Sequence, residues 1–318
     1  MPPARRKGQK EEFRFVKYEK HPREQRYKFD GQVDKLFNAE HLNGVLVCGA
    51  NMYLYNQEKH RLEKSVKEGL GRTTVIQCIH IPQLRAIYTS TIDCKIAMWD
   101  DNWFAKKRQW LVDDPQLCFL TPRPLDYRRG EPVPVPTRLI SGDSVGRIHD
   151  WDLNKGYTGL AEAKNVRKVH DDWVTDVMVP ENSQHLLITC SLDASVKLWD
   201  RKSVFKKDER GGWLSGPLRR ITTHDRPVTG LLDLPHLDLV VSWGQNHHIC
   251  VWSPTTDEVM QRLEGHGRPV VRVMQGAHVH ELISVDREGV ACVWDCRMFT
   301  LMQRCVDKVR GSAGTCLA

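Results

Sequence analysis

Three histidines invite a chemical reading. His170, His224 and His266 each stand 28 or 29 residues before a tryptophan, at Trp199, Trp252 and Trp294. Histidine is the usual general base and a common metal ligand near neutral pH, so each is a candidate base. The recurring interval argues otherwise. One active site needs one base, whereas a repeated His–Trp spacing marks an internal repeat whose histidines relay hydrogen bonds inside their own units. His247-His248 and His278-x-His280 are the other histidine clusters. Placed in loops or turns without cysteines or carboxylates at ligand spacing, they read as surface histidines rather than a metal site. The pattern GxxxxGK followed by Ser or Thr is absent, as is HExxH. Cys292 and Cys296 read as two separate thiols. These residues predict no catalytic centre, no cofactor and no metal.

The elements that position the histidines are clearest over Val166–Asp200. An apolar strand covers Val174–Val179, and a turn at Pro180–Ser183 leads to a second strand, Leu186–Thr189. A tight turn at Asp193–Ala194 feeds a third, Ser195–Trp199, closed by Asp200. Three short strands joined by turn residues make one antiparallel sheet. Such a sheet cannot be stable alone and must stack on copies of itself.

A terminal Trp-Asp with a histidine about 30 residues upstream resembles the WD40 repeat family. The resemblance implies an all-β propeller of four-stranded antiparallel blades. It also implies a buried polar chain in each blade, running Trp–Ser/Thr–His–Asp. A buried indole N–H needs an acceptor, and a hydroxyl and an imidazole pass that demand to a turn carboxylate. The matching positions in the stretch above are Trp199, Thr189, His170 and Asp193. The next two units offer Trp252, Ser242 and His224 with Asn246, then Trp294, Ser284 and His266 with Glu288. An earlier unit has Trp99, Thr89 and Asp93, with Gly71 near the histidine place. Around Trp151, Val145 replaces the Asp and no upstream histidine is suitably spaced. In the first unit Tyr55 stands for the Trp.

A blade takes about 40–45 residues, so the 318-residue chain suits about seven. Six are readable. Residues 1–29 form a basic arm with a candidate strand at 13–16, which either closes the ring in the last blade or lies on the outside of blade one. Residues 30–305 hold blades one to six. Residues 306–318 resemble the start of a seventh, as in a longer chain or an open ring; a frayed tail is the alternative. Ten cysteines are scattered without a CxxC pair, several within apolar strands. This reads as small core residues in a reducing, intracellular compartment, the cytoplasm. The N-terminus lacks the apolar stretch of a signal peptide, and no run approaches a membrane span. With 47 basic and 40 acidic residues, net +7, the surface is mixed. Nucleic acid is allowed as a partner but not required.

Three long connections, 122–137, 154–165 and 201–216, join first to second or third to fourth strands in adjacent blades, and so project from one face. Connections longer than about 12 residues are often functional. Tyr127, Arg128, Arg129 and Trp213 are their candidate anchors. On the opposite face, His224-Asp225-Arg226-Pro227 and His266-Gly267-Arg268-Pro269 are the same loop in successive blades. Arg226, Arg268 and Arg287, with Trp173, are candidates for an acidic or phosphorylated segment. The function expected is a non-enzymatic scaffold holding other proteins of a multi-subunit assembly. Residues 293–305 (VWDCRMFTLMQRC) resemble the large WD-repeat proteins of cilia and flagella, which implies an axonemal assembly. One alternative is a ribonucleoprotein component contacting phosphates through Arg5, Arg6, Lys7, Lys10, Lys106–Arg108, Lys206 and Lys207. The other is a substrate receptor that reads acidic motifs.

Overall fold

Short segments rich in β-branched and aromatic residues, punctuated by turn residues, form twenty-four strands among the described residues. The computed structural model describes residues 33–39, 42–49, 52–56, 58–59, 61–66, 74–102, 105–125, 132–154, 163–222, 224–256 and 259–306. The basic arm, the candidate closing strand at 13–16, Gly71 and the seventh-blade candidate after Val306 lie outside them.

The strands make six four-stranded antiparallel sheets, each built from four strands consecutive in the chain. The first holds β1 (Val33–Ala39), β2 (Gly44–Gly49), β3 (Met52–Asn56) and β4 (Arg61–Val66). The second holds β5 (Val75–Ile81), β6 (Ala86–Thr91), β7 (Lys95–Asp100) and β8 (Lys106–Leu111); the third holds β9 (Gln116–Leu120), β10 (Arg138–Asp143), β11 (Arg147–Asp152) and β12 (Asn165–Lys168). The fourth is β13 (Val174–Met178), β14 (Leu186–Ser191), β15 (Val196–Asp200) and β16 (Arg219–Ile221). The fifth is β17 (Val228–Leu234), β18 (Leu239–Gly244), β19 (His248–Trp252) and β20 (Val259–Glu264); the sixth is β21 (Val270–Gln275), β22 (Glu281–Asp286), β23 (Val290–Asp295) and β24 (Thr300–Val306). The innermost strands β1, β5, β9, β13, β17 and β21 pack on one another in that order. This is a β-propeller of six described blades.

Burial follows the radius of the wheel. The second strands β6, β14 and β18 are buried along their whole length, while the outermost β8 and β20 are mostly exposed. A strand covered on both faces must be apolar throughout rather than alternating. Five apolar clusters each join consecutive blades. In every one, the third-strand tryptophan of the later blade packs on the blade before it: Trp99 on Leu46 and Met52, Trp199 on Ile140 and Ile148, Trp294 on Val241 and Ile249.

The radial twist is written locally. A register shift sits near the start of β1, β5, β13, β17 and β21, and at Gly142/Asp143 of β10 in the third blade. Such bulges sharpen the right-handed twist of a strand pair. The turns between second and third strands carry a left-handed residue in four blades: Cys94 (φ 58), Gly146 (φ 89), Ala194 (φ 63) and Gly289 (φ 80). A side chain in that conformation costs about 1 kcal/mol. Ala194→Gly should therefore raise the stability of the fourth blade by about 0.5 kcal/mol, after the entropy of the new glycine is deducted. Urea unfolding of the purified variant measures it.

Candidate interaction sites

The buried tryptophans create the first demand on polar side chains. The five on third strands donate from Nε1 to a hydroxyl ten residues earlier: Trp99 to Thr89 (2.9 Å), Trp151 to Ser141 (2.8 Å), Trp199 to Thr189 (3.0 Å), Trp252 to Ser242 (3.1 Å) and Trp294 to Ser284 (2.7 Å). The interval comes from register. Trp199 faces Leu187 across the ladder, so the hydroxyl two residues beyond Leu187 is its diagonal neighbour on the same face. In the first blade, Tyr55 faces Val45, and an apolar Val47 occupies the hydroxyl place.

In the fourth blade the chain continues to its end. His170 Nε2 lies 2.8 Å from Thr189 Oγ1, and Nδ1 lies 2.9 Å from Asp193 Oδ2. Since the Thr189 oxygen accepts from Trp199, its proton goes to Nε2, and Nδ1–H donates to Asp193. Both ring nitrogens are thereby engaged. Burial lowers the His170 pKa, outweighing the opposite pull of Asp193, so the imidazole is neutral at pH 7. Burial alone would raise the Asp193 pKa, but hydrogen bonds from His170 and Ser195 hold it below the usual carboxylate range.

The other blades solve the same problem with different residues. In the sixth, His266 reaches Ser284 (2.6 Å) through Nε2 and Asp286 (3.2 Å) through Nδ1. Asp286, two residues after the serine, takes the place assigned from sequence to Glu288. It also accepts the backbone N–H groups of Glu288 and Val290. Glu288 points outward and pairs with Arg268 at 2.7 Å, both more than half exposed. In the third blade Gln116 stands in for the absent histidine, accepting from the Ser141 hydroxyl through Oε1. Asp143, again two residues after the serine, does what Val145 cannot. It accepts the backbone N–H of Val145 (2.9 Å) and Arg147 (2.8 Å), the Arg147 Nε (2.7 Å) and His149 (2.8 Å). Burial works against ionisation, but those donors bring its pKa down to about 2. Sequence reasoning missed Gln116, Asp143 and Asp286. The Ser-x-Asp spelling of residues 141–143 and 284–286 was the available signal. In the second blade, Asp93 accepts from Thr91 (2.5 Å) and pairs with Lys95.

Gly142–Gly146 also has the Gly-x-Ser-x-Gly spelling of a hydrolase nucleophile turn, which the sequence reading wrongly took to be absent. Here it joins two strands of a hairpin, β10 and β11, not a strand to a helix. Gly146 is required for a different reason: the His170 carbonyl lies where its Cβ would be.

The fifth blade breaks the chain. His224 Nε2 meets Ser242 Oγ at 2.8 Å, but Asn246 does not reach His224 Nδ1, as the relay reading expects. Its amide nitrogen lies instead 3.2 Å from His248 Nε2. Both His224 Nδ1 and Asn246 Oδ1 are buried without a partner. His248, taken from sequence as a surface residue, is half-buried at the start of β19 and stacks on His224, with ring centroids 6.0 Å apart.

At the end of the wheel where the long connections emerge, they lock onto one another. Arg201 donates to the Arg123 carbonyl, and Arg123 pairs with Glu181 at 3.5 Å. Arg167, 5% exposed, lies between the rings of Trp199 (4.7 Å) and Trp213 (5.0 Å), and donates to the carbonyls of Val204 (2.6 Å) and Ser215. Trp213 is thus half-buried as the outer wall of a cation–π stack. Two grooves flank the fourth blade there. One, of about 200 Å³, is lined by Leu120–Arg123, Val179, Glu181 and Gln184. The other, of about 360 Å³, includes His185, Leu198, Leu218 and Pro254. Leu218 of the second groove is exposed, as are Leu125, Val133, Val135 and Leu214 on the long connections. Tyr127, Arg128 and Arg129 lie outside the described residues.

At the opposite end, Arg226, Arg268, Arg287 and Trp173 are all exposed. The Arg287 N–H donates to the Pro269 carbonyl, and Leu192 N–H to that of Trp173, which ties these loops to the neighbouring turns. Of the other basic candidates, Lys106 stacks over Trp99 at 5.9 Å, Lys107 pairs with Asp100 at 2.7 Å and Lys207 stacks over Trp213 at 5.0 Å. Among the described residues no helix is long and apolar enough to cross a membrane.

Comparison with known proteins agrees with this architecture. Residues 163–200 match the model of the WD domain, G-beta repeat. The chain is similar to the nuclear distribution proteins nudF of Aspergillus flavus and Aspergillus oryzae, 27% identical over 126 residues, 39% of this chain and 24% of each relative. It is also similar to the mouse peroxisomal targeting signal 2 receptor, 32% identical over 87 residues, 27% of this chain. The alignments span about a quarter (24%) of the relatives' own length.

Proposed function

Because this chain belongs to the WD40-repeat β-propellers, we propose that it is a non-enzymatic scaffold that holds another protein of a multi-subunit assembly on the end carrying its long connections. The braced insertions of the third and fourth blades support this reading above all. Arg167, Arg201 and Arg123 tie the described parts of these connections to the blades through carbonyl hydrogen bonds and an ion pair, which lowers the ordering entropy that opposes docking. The exposed Leu125, Val133, Val135, Leu214 and Leu218 supply apolar contact on these connections, and two grooves lie at the same end. Resemblance of residues 293–305 to large WD-repeat proteins of cilia and flagella points to an axonemal assembly. A fluorescently tagged chain followed in ciliated cells tests that location.

The acidic-motif reading has weaker support, because Arg268 already pairs with Glu288. The ribonucleoprotein reading has less still, since Lys107 is paired and Lys106 and Lys207 lie over aromatic rings. Affinity capture with surface variants separates the three. Val135→Asp with Leu214→Asp should abolish recovery of the specific partner, while Arg226→Glu with Arg268→Glu should leave it intact. The reverse pattern would sink the scaffold-face reading in favour of the acidic-motif receptor. Ribonuclease-sensitive recovery would favour the ribonucleoprotein.

A further inference from the structure

The polar residues of the fifth blade do not form a relay, and their replacement has a pattern. Where the third and sixth blades place Asp143 and Asp286, the fifth has Gly244; where the fourth has Asp193, it has Asn246. Both carboxylates that elsewhere receive the end of the hydrogen-bond chain are gone. At the two β19 positions facing the same way, four and two residues before the tryptophan, the fourth blade has Ser195 and Lys197. The fifth has His248 and Cys250. Strand alternation puts those two on one face, and the inter-blade loop brings His224 onto it.

We propose that His224, His248 and Cys250 bind one zinc ion beside the Asn246 side chain. The ligand atoms of the three residues lie within 4.8 Å of one another. Zinc held at 2.0–2.1 Å by imidazole nitrogen and 2.3 Å by thiolate in a tetrahedron sets its ligands roughly 3.3–3.6 Å apart, so the site closes by a contraction on the order of 1 Å. Independent support comes from two buried side-chain atoms of these residues that have no hydrogen-bond partner. His224, 3% exposed, has a bare Nδ1, and Asn246, 4% exposed, has a bare Oδ1. A cation on Nδ1 leaves the His224 Nε2–H to donate to Ser242, which fixes the ring as outer-shell hydrogen bonds fix metal-bound histidines.

Two imidazoles and a thiolate suit zinc and disfavour magnesium or calcium, which take oxygen ligands. Burial, followed by His248 and Arg262, brings the His224 pKa down to about 4, so no proton competes for its lone pair at pH 7. The surrounding charges divide. Arg262 opposes a cation, whereas Asp225 and Glu264 favour one. On binding, the Cys250 thiol gives its proton to solvent and its sulfur lone pair to the metal, so affinity falls as pH is lowered.

Chelator-stripped full chain titrated with zinc against a chromophoric competitor should bind one ion per chain and melt at a higher temperature. Cobalt in its place should show a tetrahedral visible spectrum with a thiolate charge-transfer band. His248→Gln and Cys250→Ser should each weaken binding by at least about tenfold, and both should lose the melting shift. Cys292→Ser, at the equivalent position of the sixth blade, should change neither. Circular dichroism establishes that each variant is folded. Absence of stoichiometric binding by the parent chain, or binding that survives both substitutions, would overturn the site.

Discussion

Thr189→Val should destabilise the fourth blade by about 3 kcal/mol, since it strands two buried groups at about 1–3 kcal/mol each. The variant keeps the shape of the side chain, so little of the loss comes from packing. What disappears is the single oxygen that accepts from Trp199 at 3.0 Å and meets His170 at 2.8 Å. Neither group can turn to water: Trp199 is 3% exposed and His170 1%. Urea unfolding followed by tryptophan fluorescence gives the magnitude. A loss below about 1 kcal/mol would mean that the chain of hydrogen bonds contributes no more than an ordinary exposed pair. Because the members act as one network, Thr189→Val and His170→Ala should be far from additive.

Asp143→Asn should cost about 2 kcal/mol at pH 7. The carboxyl titrates at about 2 instead of 3.8, and each unit of depression is worth about 1.4 kcal/mol. Its four donors share two oxygens, and an amide can serve only one set. The contribution is complete above the unfolded value of 3.8 and fades as pH falls toward about 2. His170 and His266 act earlier on the same descent. Both have folded-state values below 6.5, chiefly through burial. The unfolded chain therefore binds more protons as pH drops through 6.5, and stability declines from there downward. Urea midpoints that do not fall between pH 7 and pH 5 would contradict this account. For Asp143→Asn, the comparison with the parent chain is made at pH 7.

The tryptophan anchors were legible in the chain because their geometry is local. A hairpin's register puts the hydroxyl ten residues before the indole whatever the rest of the molecule does. The partner beyond the hydroxyl is not local in this sense. His170, His224 and His266 arrive from inter-blade loops of constant length, so their spacing survives in sequence. In the third blade the 121–137 connection separates Gln116 from Ser141 and erases that spacing. Asp286 and Glu288 share one turn, and composition favours neither. A left-handed Gly289 shapes the turn so that Asp286 faces inward and Glu288 faces Arg268. Trp213 looked like a free anchor because nothing in its loop reveals that Arg167, 46 residues earlier, is stacked beneath it.

The opening observation, three histidines at a fixed distance from three tryptophans, thus divides into two kinds of information. By itself the sequence determined the all-β repeat marked by Trp99, Trp151, Trp199, Trp252 and Trp294, and it named the hydroxyls of Thr89, Thr189, Ser242 and Ser284 as relay members. These follow from strand period and hairpin register, which act over about ten residues. Only the tertiary structure decided that His266 ends on Asp286 rather than Glu288 and that His224 meets no carboxylate. His170 and His266 end on carboxylates, whereas His224 faces His248 and Cys250 with its Nδ1 unpartnered. The physical reason is that a buried polar atom takes its meaning from neighbours brought in by other strands. A two-residue difference in which turn position carries the acid changes the partner without changing the repeat.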